Sequence, residues 1–338
     1  MQEILILTVL VSFVLTLIFL PKWIKKCRQT GLLWEDMNKF KHPKNVAASG
    51  GVVIVMAFSI SILTYIAIRT FVIHDSDGIT KNILGLLGMI LILSVVGLTD
   101  DMLGWKHGGL SIKMRIFLAF MASIPLMVLN AGFHEINLPF LGNVDLGLLY
   151  PLILIPLGIA GAATTYSFLA GFNGLEAGQG IIILSFLSYV SYLTGNSWLA
   201  IVGLCLVASL IVFYFYNKFP AKVFPGDILT WTIGSVIAGM AVLGNFEKIA
   251  LFIFIPYILE TLLKLRGKLK NQSFGIPNKD NSLEMPFDRV YGLTHLSLYV
   301  LKKFKTKVYE RDVVYLIFVV QIILCLAALI IFKNSLFV

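Results

Sequence analysis

Apolar stretches near twenty residues long recur from one end of this 338-residue chain to the other, and that recurrence constrains the fold more than any other feature. A helix of about 20 apolar residues crosses roughly 30 Å of hydrocarbon, and inside hydrocarbon the backbone must satisfy its own polar groups. Composition points the same way: 58% of the residues are hydrophobic, 13% are charged and the mean hydropathy is +0.89. A soluble domain carries about 25% charged residues, so this chain lacks the polar residues to cover a water-facing surface. The expected fold class is all-α, a polytopic integral membrane protein. About ten transmembrane helices are expected, near 3–21, 50–68, 82–99, 114–131, 146–164, 180–194, 198–216, 228–244, 249–265 and 313–332. No long linker or internal repeat divides them, so residues 1–338 read as a single membrane domain. Cys27, Cys205 and Cys325 are too scattered for a disulfide framework or a zinc site. The N-terminal MQEILILTVL has no basic flank before its apolar run, which suits a retained first span.

Basic residues fix the expected orientation. Residues 22–49 carry seven Lys and Arg, 100–115 three, 217–227 two and 264–312 eleven, together 23 of the 27. The alternate connections hold only Arg69, Lys81, Lys248 and Lys333. Positive charge marks the cytoplasmic side. The odd connections are therefore expected in the cytoplasm and both termini outside, with Asp75 and Asp77 on the outer face. The net charge of +9 would then face anionic headgroups or an anionic substrate.

The acidic residues carry the chemistry. In VVGLTDDMLGW the run from Ile83 to Leu98 ends in Asp100 and Asp101, two like charges side by side at the mouth of a span. Adjacent carboxylates resist joint ionisation, and a carboxylate at membrane level is costly. A cation, or a phosphate substrate with its Mg²⁺, would relieve both problems, because Mg²⁺ takes one or two carboxylates together with substrate phosphates. Solvated charges at a helix end are the plain alternative. FLAGFNGLEAGQG, residues 168–180, is a small-residue loop holding Asn173, Glu176 and four glycines. Such a loop lets backbone N–H groups approach a phosphate or a nucleobase edge. In NKFPAKVFPGDILTW, Asp227 opens a span after a Pro-Gly turn, either as a helix cap or as a third oxygen ligand beside Asp100 and Asp101. The large polar loop at about 264–312 supplies Lys264, Arg266, Lys268, Lys279, Arg289 and His295 as phosphate or sugar contacts, or simply as a basic surface near lipid.

Together these motifs resemble the polyprenyl-phosphate N-acetylhexosamine-1-phosphate transferases over nearly the whole chain. The aspartate pair follows the third span, the Asn-Gly loop the fifth, and an aspartate opens the eighth. AGFNGLEAGQ and VFPGD are most similar to the eukaryotic and archaeal branch, and EDMNK, residues 35–39, to the family's Asp-x-Asn-Lys element. The resemblance implies transfer of GlcNAc-1-phosphate from UDP-GlcNAc to a polyprenyl or dolichyl phosphate, with release of UMP, in the cell membrane with the active site on the cytoplasmic face. It implies a Mg²⁺ cofactor, with Mn²⁺ as a substitute, membrane lipid as environment, and no nucleic acid; a homodimer is a further expectation. Asp100 and Asp101 would position the lipid phosphate, accept a proton or contact magnesium. Asp227 matches the magnesium-binding aspartate and Asn173 the nucleotide-loop asparagine. Lys113, in LSIKMRI, matches a phosphate-binding lysine, and Asn38 and Lys39 would serve the substrates. Glu176, Arg289 and His295 complete the expected substrate contacts.

Three departures stand out. Ser167 occupies the place of a frequent Asn, a poorer magnesium ligand; Ala47 and Ala48 replace a Pro-Glu; and Ser273, Phe274 and Gly275 replace a basic triplet before Ile276-Pro277. They leave room for the same chemistry on another UDP-N-acetylhexosamine, or for an inactive scaffold. A transporter is the rival from another class, though acids clustered at helix ends without repeat symmetry are unlike one.

Overall fold

The structure, a computed structural model, describes residues 2–74, 78–132, 135–138 and 142–333; Asp75 and Asp77 lie outside these. It is mostly helical. In chain order the helices are α1 (Gln2–Thr30), α2 (Gly51–Ile68), α3 (Ile79–His107), α4 (Ile112–Ala122), α5 (Ile124–Val128), α6 (Ile155–Tyr166) and α7 (Leu175–Leu193). There follow α8 (Ser197–Asn217), α9 (Asp227–Gly244), α10 (Glu247–Ile253), α11 (Ile255–Arg266), α12 (Leu293–Lys302) and α13 (Glu310–Ile331). Among the described residues six segments are long and apolar enough to cross a membrane. They coincide with α1, α2 and its π-helical extension Arg69–Ile73, α3, α8, α9 and α13.

The other expected spans are helical but broken or less apolar. The stretch 114–131 is divided between α4 and α5 at Ser123, ahead of Pro125. The stretch 249–265 is divided between α10 and α11 at Phe254, ahead of Pro256. A turn of π-helix, Tyr150–Leu154, precedes α6. Proline removes an N–H and clashes with the preceding turn, so each break falls where a new helix can start on it. Among the described residues three short antiparallel pairs qualify the all-α expectation: β1 (Leu33–Glu35) with β2 (Lys44–Ala47), β3 (Glu135–Leu138) with β4 (Gly142–Asp145), and β5 (Ile276–Pro277) with β6 (Leu283–Glu284).

Two features position the site. α9 lies at the centre, packed on α3, α6, α2 and α7, with 89% of its apolar window buried against 22% for α1 and 28% for α13. Its first residue is thus held by the best-packed part of the molecule. α3, moreover, does not stop at Leu98. Nothing in TDDMLGWKH breaks a helix, so it runs on to His107 and ends only at Gly108 and Gly109, both with positive φ (85° and 79°). Asp100 and Asp101 therefore sit inside a helix, pointing in directions about 100° apart.

Candidate active site

A cavity of about 600 Å³ opens where α3, α9, the α6–α7 loop, the α1–α2 connection and the segment around Phe274 converge. Its wall includes Asp100, Asp101, Asp227, Arg115, Glu176 and Asp36. Asp100 is 3% exposed and accepts a hydrogen bond from the Leu110 N–H at 2.5 Å. Its other oxygen lies 2.6 Å from Nη2 of Arg115, whose Nη1 is 3.5 Å from an Asp227 carboxylate oxygen. Arg115 also donates through Nε to the Leu110 carbonyl at 3.2 Å, which fixes the guanidinium between the two aspartates. A planar cation with several donors bridges carboxylates well and keeps further N–H groups for a phosphate.

Asp101 turns the other way. Oδ1 accepts the Asp227 N–H at 2.7 Å and Oδ2 lies 3.4 Å from the Ile228 N–H. Asp227 is consequently not the cap of its own helix. Gly226 holds that position without a side chain, and the Asp227 carboxylate is left facing Arg115 and the cavity. The approach of Asp227 to α3 is fixed by backbone pairing too. The segment Ala47–Gly51 runs beside Lys222–Pro225, with Phe224 N–H to Ala47 O at 2.8 Å, Gly50 N–H to Phe224 O at 2.9 Å and Gly51 N–H to Pro225 O at 3.0 Å.

A second network buttresses the cavity from behind. Asn173 donates through its backbone N–H to Glu310 at 2.6 Å and through Nδ2 to Asp36 at 3.0 Å. Asn38 donates to the Gly171 carbonyl at 2.9 Å and accepts from the Gly275 N–H at 3.1 Å. Lys39 pairs with Glu310, lies 3.5 Å from Asp36 and sits over the Phe219 ring at 4.4 Å. Glu176 accepts the Gly171 N–H at 2.8 Å. The loop's Gly171 and Asn173 N–H groups are thus taken by Glu176 and Glu310, where the sequence suggested free donors for a ligand. Asn38, Lys39 and Asn173 brace Asp36 and Gly171, which form the wall, and do not line it themselves.

Besides Asn38, Lys39 and Asn173, four more expected site residues stand off the cavity wall. Lys113 is exposed on the first turn of α4, and Arg115, two residues on, is the cation that reaches the aspartates. Ser167 ends α6 and donates back to the Thr164 carbonyl at 2.9 Å. Arg289 is exposed on the loop before α12. His295 is 1% exposed behind the 271–275 segment, against Phe287. Burial, with the Lys264 charge adding to it, pushes His295 down to about 4, so the ring is neutral at physiological pH. Sequence reasoning missed Arg115 and Glu310. The first stood in the quoted LSIKMRI beside a more familiar lysine; the second fell just outside an apolar span drawn from 313.

The donor set suits a hard divalent ion shared with a substrate. Asp100 and Asp227 bring carboxylate oxygens to one wall, and two carboxylates completed by phosphate oxygens are what Mg²⁺ takes. No three His, Cys, Asp or Glu among the described residues converge as an all-protein cage.

A family model described as glycosyl transferase family 4 matches residues 83–245, the stretch from α3 to α9 that carries Asp100, Arg115, Asn173 and Asp227. A protein of Sulfolobus acidocaldarius, provisionally named UDP-N-acetylglucosamine–dolichyl-phosphate N-acetylglucosaminephosphotransferase, is 33% identical over 96% of this chain and 95% of its own length. A Saccharolobus solfataricus protein of the same provisional name is 31% identical over 90% of each. The Dictyostelium discoideum UDP-N-acetylglucosamine–dolichyl-phosphate N-acetylglucosaminephosphotransferase is 27% identical over 78% of this chain and 70% of its own length. With apolar helices built around a carboxylate-and-guanidinium cavity, the molecule is a multi-pass membrane transferase. The chain belongs to glycosyl transferase family 4, the polyprenyl-phosphate N-acetylhexosamine-1-phosphate transferases, and this membership sets the transporter reading aside.

Proposed function

We propose that this protein transfers GlcNAc-1-phosphate from UDP-GlcNAc to a polyprenyl phosphate of the dolichyl type and releases UMP, the first step of assembling a lipid-linked glycan. The observation that carries the reading is Arg115 held between Asp100 and Asp227 on the wall of a 600 Å³ cavity. Relatives named for this reaction, alike over most of their length, support the choice of substrates. In the reaction an oxygen of the lipid phosphate attacks the β-phosphorus. The bond from that phosphorus to the oxygen bridging the two phosphates breaks, and UMP departs with that oxygen. A phosphate monoester has its second pKa near ~6, so the acceptor is already largely dianionic and needs no strong base. Phosphoryl transfer depends on positioning and charge neutralisation. Arg115 offers N–H donors to the pyrophosphate, and Asp100 fixes Arg115. Asp227 and Asp100 would hold Mg²⁺, which supplies the remaining counter-charge.

The same reading makes the whole chain one membrane domain of ten spans, both termini outside, in the cell membrane, with the cavity opening to the cytoplasm beside a basic face. It is tested by mixing purified protein, a polyprenyl phosphate, Mg²⁺ and a panel of UDP-N-acetylhexosamines and measuring UMP. UDP-GlcNAc should be turned over, EDTA should abolish turnover, and Mg²⁺ or Mn²⁺ should restore it. Release of UMP from another sugar nucleotide alone would move the specificity, and full turnover in excess EDTA would remove the metal.

A further inference from the structure

We infer that Asp101 is a positioning residue that caps α9 from the neighbouring helix and thereby sets where Asp227 points; this rests on the transfer reading of the site. A helix leaves its first N–H groups without partners, and a local Ser, Thr, Asp or Asn ordinarily supplies an acceptor. α9 has Gly226 at that place, with φ +72°, a conformation that disfavours a side chain. The space is taken as well, since a Cβ on Gly226 would run into the Asp101 carboxylate and come within 3.1 Å of Ser49 Cα. A local cap is thus sterically shut out, and Asp101 replaces it, accepting from Asp227 at 2.7 Å with Ile228 at 3.4 Å. α3 comes near enough because Gly97, one turn before Asp101, is bare. A Cβ there would sit 2.6 Å from the Asp227 carbonyl oxygen.

The arrangement explains why two carboxylates stand side by side. Asp100 and Asp101 point about 100° apart on α3, so one reaches the Arg115 pair and the other the start of α9. A negative charge at a helix N-terminus is favourable, so the start of α9 stands where a cation would beside Asp101. Both of its oxygens face backbone donors of α9, at the edge of the cavity wall that Asp101 shares with Ser49.

Purified Asp101→Asn and Asp101→Ala are compared with wild type by UMP release and by hydrogen exchange at the first amides of α9 without substrate. Asn keeps an acceptor oxygen, so its kcat should stay within about tenfold of wild type, with an unchanged pH profile. Ala leaves α9 uncapped. Its kcat should fall more than about a hundredfold at similar KM, as misplacement of a catalytic group does, and the α9 amides should exchange faster. If Asn is as damaging as Ala while those amides stay protected in both, the charge itself acts in the reaction and the inference fails. If wild type releases no UMP from any sugar nucleotide, the transfer reading falls and the exchange arm decides alone. Protection lost in Ala and kept in Asn upholds the cap; equal protection in all three overturns it.

Discussion

Asp227 is where two readings of one residue diverge in measurable terms. As a cap, Asp227→Asn would be nearly silent, since Asn caps about as well as Asp. Gly226 holds the cap position and the Asp227 carboxylate faces Arg115, so under the proposed function its negative charge is what the cavity would use. Turnover of Asp227→Asn at saturating Mg²⁺ should therefore fall on the order of 10²-fold or more while the protein still inserts and purifies. Retention of most of the wild-type rate would withdraw Asp227 from the reacting group. Arg115 was harder to see in the sequence than the acids. Lys113 and Arg115 are both cations near the start of α4, and only the geometry of the Gly108–Gly109 turn decides which one folds back onto Asp100. The sequence offered Asn173 as a nucleotide contact; its place behind the wall was not legible, because its partners Asp36 and Glu310 are remote in sequence.

Among the elements, the 271–275 segment shows how a cavity wall is held from outside the cavity. Gln272 and Phe274 line it, while Ser273 between them accepts from Lys264 Nζ at 2.6 Å and gives its carbonyl to Thr294 at 2.9 Å. His295 is packed beneath. Folding holds its pKa at about 4 against an ordinary 6.5, so between those values the unfolded chain binds the extra proton and the native state loses stability as pH falls. The thermal midpoint of wild type in detergent should drop more steeply from about pH 7 to about pH 4.5 than that of His295→Gln. Parallel curves would show that the ring does not titrate against the fold. Helix positions were readable from apolar runs, but helix ends were not. α3 overran its expected end because no residue before Gly108 stops a helix, and α13 began early because Glu310 and Asp312 suit a first turn.

At the scale of the whole molecule the distribution of Lys and Arg makes a prediction about sidedness that the fold alone does not. If the cavity faces the cytoplasm, a cysteine replacing exposed Ser197, the first residue of α8, should react with an impermeant thiol reagent added to intact cells. One replacing exposed Asn278, before β6, should not. The background is low because all three native cysteines are buried. Reversed labelling would put the cavity on the other side. Composition was enough to read a membrane fold here, since it reflects the solvent; the pairing of distant connections was not, because backbone hydrogen bonds leave little trace in residue type. The alignment of Ala47–Gly51 with Lys222–Pro225 has a consequence for biogenesis. The first of these strips leaves the ribosome before α2, and its counterpart emerges only after α8, so the chain from α2 to α8 must be made while one edge waits unmatched. The cavity cannot close until synthesis is more than half complete, which makes its assembly a late event in the life of the nascent chain.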